Sequence, residues 1–258
     1  MVGGPGRAVE TVATSAADDN AFRALIDACR LSADLPEARI VGGQMVGILT
    51  LVYPDAPRVD RRTADADLGI STQIASSSIL HDRLRNADYV ATSGNHYELG
   101  EAQIDVLAPS PDGSFRSAVS GGRGIDLTPG LGLALSSAPV VVDLGITFLD
   151  GHHERTSVRV PRLEVAVLLK AFATTSRSAP KDYTDLYNLL SIAYRYGAEA
   201  IGGWRLDASD IIGARRDCAT ILHALADGAS ANPAIAGAHV EREEFVALIR
   251  ELVFRERT

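Results

Sequence analysis

At 258 residues, 46% hydrophobic and 22% charged, the chain has the composition of a globular protein, which excludes extended disorder. Its longest apolar stretch, 139–149, carries Asp143 in its middle and falls short of the ~20 residues a membrane-spanning helix needs; residues 1–20 lack the apolar run of a secretory signal, so a cytoplasmic protein without a membrane partner is expected. A net charge of −8 argues against sequence-independent coating of nucleic acid, and Cys29 and Cys218 alone build neither a disulfide framework nor a zinc cluster.

Residues 1–19 are rich in Gly, Ala, Ser and Thr and read as a flexible arm. From Asn20, read as an N-cap, Phe22, Leu25, Ile26 and Cys29 recur at helical spacing. A short strand, ARIVGG, ends in Gly42 and Gly43 and leads into an apolar helix, QMVGILTLVY. The loop YPDAPRVDRRT delivers the chain to ADADLGIS, which alternates as a strand does. A polar helix over 72–85 precedes the strand candidates DYVATSGNHYEL, AQIDVLAP, PVVVDLGITFL and TSVRVP, with a long Gly-, Ser- and Pro-rich loop, PSPDGSFRSAVSGGRG, among them. After Pro161 the pattern becomes helical throughout: LEVAVLLKAFATT, KDYTDLYNLLSIAYRYGAEA, ASDIIGARRDCATILHALADG and REEFVALIRELVF. The expected organisation is an α/β (α+β) chain: an arm over 1–19, a mixed domain with one sheet over 20–160, and a helical domain over 161–258.

Alternation of strand side chains puts Asp65 and Asp67 on one face. Two like charges so placed are relieved by a cation, and Mg²⁺ is the hard ion that paired carboxylates hold; two solvated acids at a strand start is the plainer reading of so short a motif. Asp105, flanked by Ile104 and Val106, either faces solvent or adds a third acid to that site, where it would also accept the proton of an attacking hydroxyl. Gly42 and Gly43 stand where a strand gives way to a helix, so the backbone can approach an anion, although a tight turn uses the same residues. Only two of the 25 basic residues are lysines. Lys170 sits in an apolar helical run, where it either snorkels to the surface or enters a site; Lys181 stands at a helix start, facing the positive end of the dipole. Asp182 and Asp185, three apart, share a helix face. His96 lies in a strand-like run with no evident partner, His152 and His153 read as a solvated turn, and Arg58, Arg61, Arg62, Arg83 and Arg85 form the best basic cluster.

Taken together and in order, VGG at 41–43, RRTADADL at 61–68, the hydrophobic-Asp-hydrophobic run at 104–106, LLKAFA at 168–173 and KDYTDLYNLL at 181–190 resemble the AbiEii-type nucleotidyltransferases. That branch of the polymerase-β-like superfamily occurs as toxins of bacterial toxin–antitoxin and phage-abortive systems. The similarity spans about residues 38–195. It implies a polymerase-β-like nucleotidyltransferase domain with a small mixed sheet followed by a helical domain. It further implies Mg²⁺ bound by Asp65, Asp67 and Asp105, and an NTP held by Gly42, Gly43, Lys170, Lys181 and Asp182. Asp65, Asp67, Asp105, Lys170 and Asp185 are then catalytic. The family's R-x-T-x-D-x-D pattern is met approximately, with Arg61 at the arginine's place and Arg62 at the variable position. The implied reaction moves an NMP to an acceptor hydroxyl, RNA and foremost the tRNA 3′ end, with a cognate antitoxin as protein partner. Nucleotidylation of a protein or small molecule, or a non-catalytic nucleotide-binding module, are the alternatives.

Overall fold

The computed structural model describes residues 7–255, which form a mixed fold of the α+β kind with ten α-helices and two mixed sheets among the described residues. They divide into two compact units, one running to Val52 and resuming over Arg62–Pro161, the other made of Tyr53–Arg61 and the chain from Arg162 onward. No helix among them is long and apolar enough to cross a membrane.

In the first unit, the chain enters as β1 (Arg7–Val12) and α1 (Ala16–Leu31). The arm expected over 1–19 is therefore strand and helix from residue 7; residues 1–6 lie outside the described residues. The N-cap is Ser15 and not Asn20: Ser15 Oγ accepts from the Asp18 N–H at 3.1 Å while the Asp18 carboxylate reaches back to Thr14 N and Oγ1 at 2.8 and 2.6 Å, a close variant of the reciprocal capping box. There follow β2 (Arg39–Ile40), α2 (Gly42–Val52), β3 (Asp65–Gly69), then two helices where one was expected, α3 (Thr72–Ser76) and α4 (Ile79–Asn86). Ser71 caps the first of these by accepting from Ile74 N, and the serine-rich step between them, Ser76 to Ser78, breaks the run.

The hairpin β4 (Val90–Ser93) and β5 (His96–Leu99) leads into β6 (Ala102–Pro109). The segment expected to be a long loop instead carries β7 (Arg116–Ser120) and β8 (Arg123–Thr128), joined through Gly121 and Gly122 at φ +56° and +78°; two positive-φ residues are what a tight two-residue hairpin turn demands. After α5 (Leu131–Ser136), β9 (Val140–Thr147) and β10 (His153–Val160) complete the unit. There are two sheets, not one. The larger has the order β2-β3-β6-β5-β4, with β8 joining the far end of β6 and β7 pairing β8; the smaller is β1-β9-β10, formed because β1 runs parallel to β9 across more than a hundred residues of chain.

The larger sheet's two faces differ as its alternation dictates. Along β6, Ala102, Ile104, Val106 and Ala108 are buried, while Gln103, Asp105, Leu107 and Pro109 are half-buried. The apolar face is covered by α1, which turns Ala21, Ala24, Leu25 and Ala28 inward. Burial of side chains of this kind contributes ~1.5–3 kcal/mol for each large one, so the polar residues are forced onto the opposite face.

In the second unit, α6 (Leu163–Ser176), α7 (Pro180–Ala200), α8 (Ala214–Gly228), a short α9 (Pro233–Ala236) and α10 (Arg242–Leu252) follow in turn. Pro180 occupies the first turn of α7, where its missing N–H costs nothing, and Gly197 interrupts the helix at φ +72°. The segment Tyr53–Arg61 lies along α7: Tyr53 and Tyr196 meet edge to face at 5.0 Å, and Asn188 exchanges hydrogen bonds of 2.8 and 2.9 Å with the Val59 backbone.

Candidate functional site

Three carboxylates meet on the polar face of the larger sheet. Asp65 and Asp67 project from β3 with Ala66 buried between them, and the parallel pairing of β3 with β6 sets Asp67 directly beside Asp105. One oxygen from each of Asp65, Asp67 and Asp105 lies within 4.8 Å of the others. All three side chains are half-buried. Thr63 Oγ1 donates to Asp65 Oδ1 at 2.7 Å.

Gly42 closes one side of this group. It opens α2 at φ +60°, a conformation that disfavours any side chain, and a Cβ built on it would fall inside the Asp67 carboxylate. Glycine is thus required twice over, by backbone and by space. The first-turn N–H groups of a helix have no intrahelical partner, and here they begin at Gly42 and Gly43 beside Asp67, whose charge complements the helix N-terminus.

The other side is closed by His96, for which the sequence offered no partner. The β5–β6 pairing sets His96 opposite Asp105. Its Nδ1 lies 2.6 Å from Asp105 Oδ1 and its Nε2 lies 3.0 Å from Glu98 Oε1. Burial pulls the His96 pKa down, but the hydrogen bonds and charges of Asp105 and Glu98 outweigh it and hold the imidazole above its ordinary value. Burial raises the Asp105 carboxyl above the usual carboxylate range, with Asp65 and Asp126 adding to the rise and His96 opposing it. The signal for His96 was present in ELGEAQ: a two-residue loop at Gly100-Glu101 pairs Leu99 with Ala102, and counting outward brings His96 opposite Asp105.

A second group forms among the helices. Lys170 on α6 is buried, with its ammonium 2.7 Å from Asp185 Oδ2 and 3.8 Å from Asp182 Oδ1. It does not snorkel. The contact with Asp185 is an ion pair by distance, since Oδ2 receives no aligned hydrogen bond. Arg61 approaches Asp185 from the segment along α7 at 3.4 Å, and Arg177 bonds Asp182 at 3.0 Å. Lys181, one residue before Asp182, is exposed and takes no part in these ion pairs among the described residues. Glu164, which sequence reasoning passed over, is buried and accepts from Arg215 Nε at 2.7 Å and from the Arg205 backbone.

The arginines read as a basic cluster are matched one by one: Arg58 with Asp60, Arg61 with Asp185, Arg62 with Asp18 and Arg83 with Asp34, while Arg85 donates to the Tyr89 carbonyl. His153 begins β10 and meets Glu10 at 3.2 Å; His152 stacks on Phe148. No protein-family model matches this sequence, and comparison with curated proteins yields no match.

Proposed function

We propose that this protein is a divalent-metal-dependent nucleotidyltransferase that moves an NMP from an NTP to an acceptor hydroxyl with release of pyrophosphate. The observation that carries this reading is the in-register pair of Asp67 and Asp105, joined by Asp65 within 4.8 Å. A half-buried set of hard oxygen donors with no room for a side chain at Gly42 fits Mg²⁺, and Asp65, Asp67 and Asp105 are the residues that would hold it. When bound, the ion neutralises phosphate oxygens and orients the attacking and leaving groups.

The chain's own groups do the rest. The N–H groups at Gly42 and Gly43 donate to phosphate oxygens, as those at helix N-termini do. Asp105, beside the acids that would hold the ion, takes the proton of the acceptor hydroxyl. Lys170, Lys181, Asp182 and Asp185 are assigned to nucleotide binding and catalysis on the strength of the family resemblance. Such transfer depends on positioning and charge neutralisation more than on covalent chemistry.

The acceptor follows from the resemblance: an RNA hydroxyl, the tRNA 3′ end first, in a toxin whose partner is a cognate antitoxin. Incubation with each of the four α-³²P-labelled NTPs, Mg²⁺, total RNA and total protein tests this. Label in RNA with one preferred nucleotide is expected. Label confined to protein replaces the RNA acceptor with a protein one, and label in neither fraction removes both.

A further inference from the structure

Asp105 has a neighbour on each side of its strand. Asp67 stands at the same level on β3, and His96 at the same level on β5. We propose that His96 is a positioning residue: its Nδ1–H bond to Asp105 fixes that carboxylate in the orientation in which it shares a cation with Asp65 and Asp67. The inference rests on the reading of the acidic face as a divalent-cation site.

The arrangement is built from the backbone up. The loop at Gly100 (φ +59°) and Glu101 sets the register of the hairpin, so His96 and Asp105 share a face as directly paired residues do. The ring is then fixed at both nitrogens, by Asp105 at 2.6 Å and by Glu98 at 3.0 Å. A ring held at two points has one plane, and it passes that order to the carboxylate it bonds. Asp105 needs this support, since a carboxylate beside two others turns away from their like charge unless something holds it. Partners of this sort around metal-binding carboxylates affect metal affinity by about 10–100-fold.

Donation from both nitrogens to carboxylates makes the ring an imidazolium. It therefore affects a bound cation in two ways, through its charge on Asp105 and through the bond that orients Asp105, and on this proposal orientation outweighs charge. The two roles have opposite signs. Loss of a neutralising cation leaves the site more negative and tightens divalent-ion binding, whereas loss of a positioning bond loosens it. Substitution also separates the ring's two ends: an asparagine amide sits about where Nδ1 sits, and a glutamine amide about where Nε2 sits.

The test is a Mn²⁺ titration of the full chain, read by the electron paramagnetic resonance of the free ion, on wild type, His96→Ala, His96→Asn and His96→Gln. Circular dichroism and thermal melts are run on the same samples. The expected result is about 10–100-fold weaker Mn²⁺ binding in His96→Ala and His96→Gln, with His96→Asn within a few-fold of wild type. Unchanged or tighter binding in a folded His96→Ala, or His96→Asn as weak as His96→Gln, overturns the proposal. If His96→Ala does not fold, the Asn and Gln pair decides. A folded wild type that fails to bind Mn²⁺ removes the cation site and this inference together, whereas binding that ignores His96 removes this inference alone.

Discussion

Asp65, Asp67 and Asp105 stand half-buried on a sheet face, where Asp105 is met by an imidazole and Asp65 by a hydroxyl. Asp182 and Asp185 are buried to 0% and 1% exposure among helices, where Lys170, Arg61 and Arg177 supply full cations. The same side chain is therefore used in opposite ways. Buried carboxylates survive folding only when paired, because removing one partner leaves an uncompensated charge. The sheet acids are half-buried instead and lie within 4.8 Å of one another, and like charges that close are relieved by a cation in the site proposed above. The helix acids are neutralised within the fold, and the sheet acids lie close together on a half-buried face.

Substitutions in either cluster separate the two. The largest effect is expected from Asp185→Ala, which removes the ion pair with Arg61 and leaves the buried Lys170 only the longer contact with Asp182: a loss of about 3–5 kcal/mol, read as a shift of the urea midpoint. Asp67→Asn is the mirror case. It should cut nucleotidyl transfer by on the order of 10²–10³-fold, the scale of a lost electrostatic contact at a transition state, and leave the urea midpoint nearly unmoved; a stability loss as large as that of Asp185→Ala would make the sheet acids structural. Gly42→Ala should cost about 1–2 kcal/mol for its left-handed backbone and weaken Mn²⁺ binding as well, because the methyl group displaces the Asp67 carboxylate. Within the helical unit, Lys170→Arg overfills a buried position and should cost about 1–3 kcal/mol. Lys181→Arg, on an exposed side chain, should stay within about 0.5 kcal/mol, so a slower transfer rate in that variant is not a stability effect.

Local pattern made part of this legible. The alternation in ADADLG and AQIDVLAP placed Asp65, Asp67 and Asp105 on strands, and the apolar period after Pro161 located the four long helices. What local pattern misses is pairing. The strand β1 is held by β9, more than a hundred residues away, and nothing within RAVETV names that partner. The hairpin of β7 and β8 hid in a Gly- and Ser-rich stretch because its strands are short and polar; the Gly121-Gly122 pair was its turn signal. His96 was missed for the same reason, since its role exists only once hairpin register is fixed. The cluster around Asp185 needed Arg61 from a segment that joins the helical unit over a separation of more than a hundred residues, which no spacing rule anticipates.

Which phosphate moves separates nucleotidyl transfer from phosphoryl transfer. Parallel reactions with α-³²P- and γ-³²P-labelled NTP, Mg²⁺ and total RNA should leave the α label in acid-insoluble RNA and release the γ label as pyrophosphate. Transfer of the γ label to the acceptor would make the protein a phosphotransferase and contradict nucleotidyl transfer, as would a folded, Mg²⁺-supplied protein that transfers neither label to any acceptor.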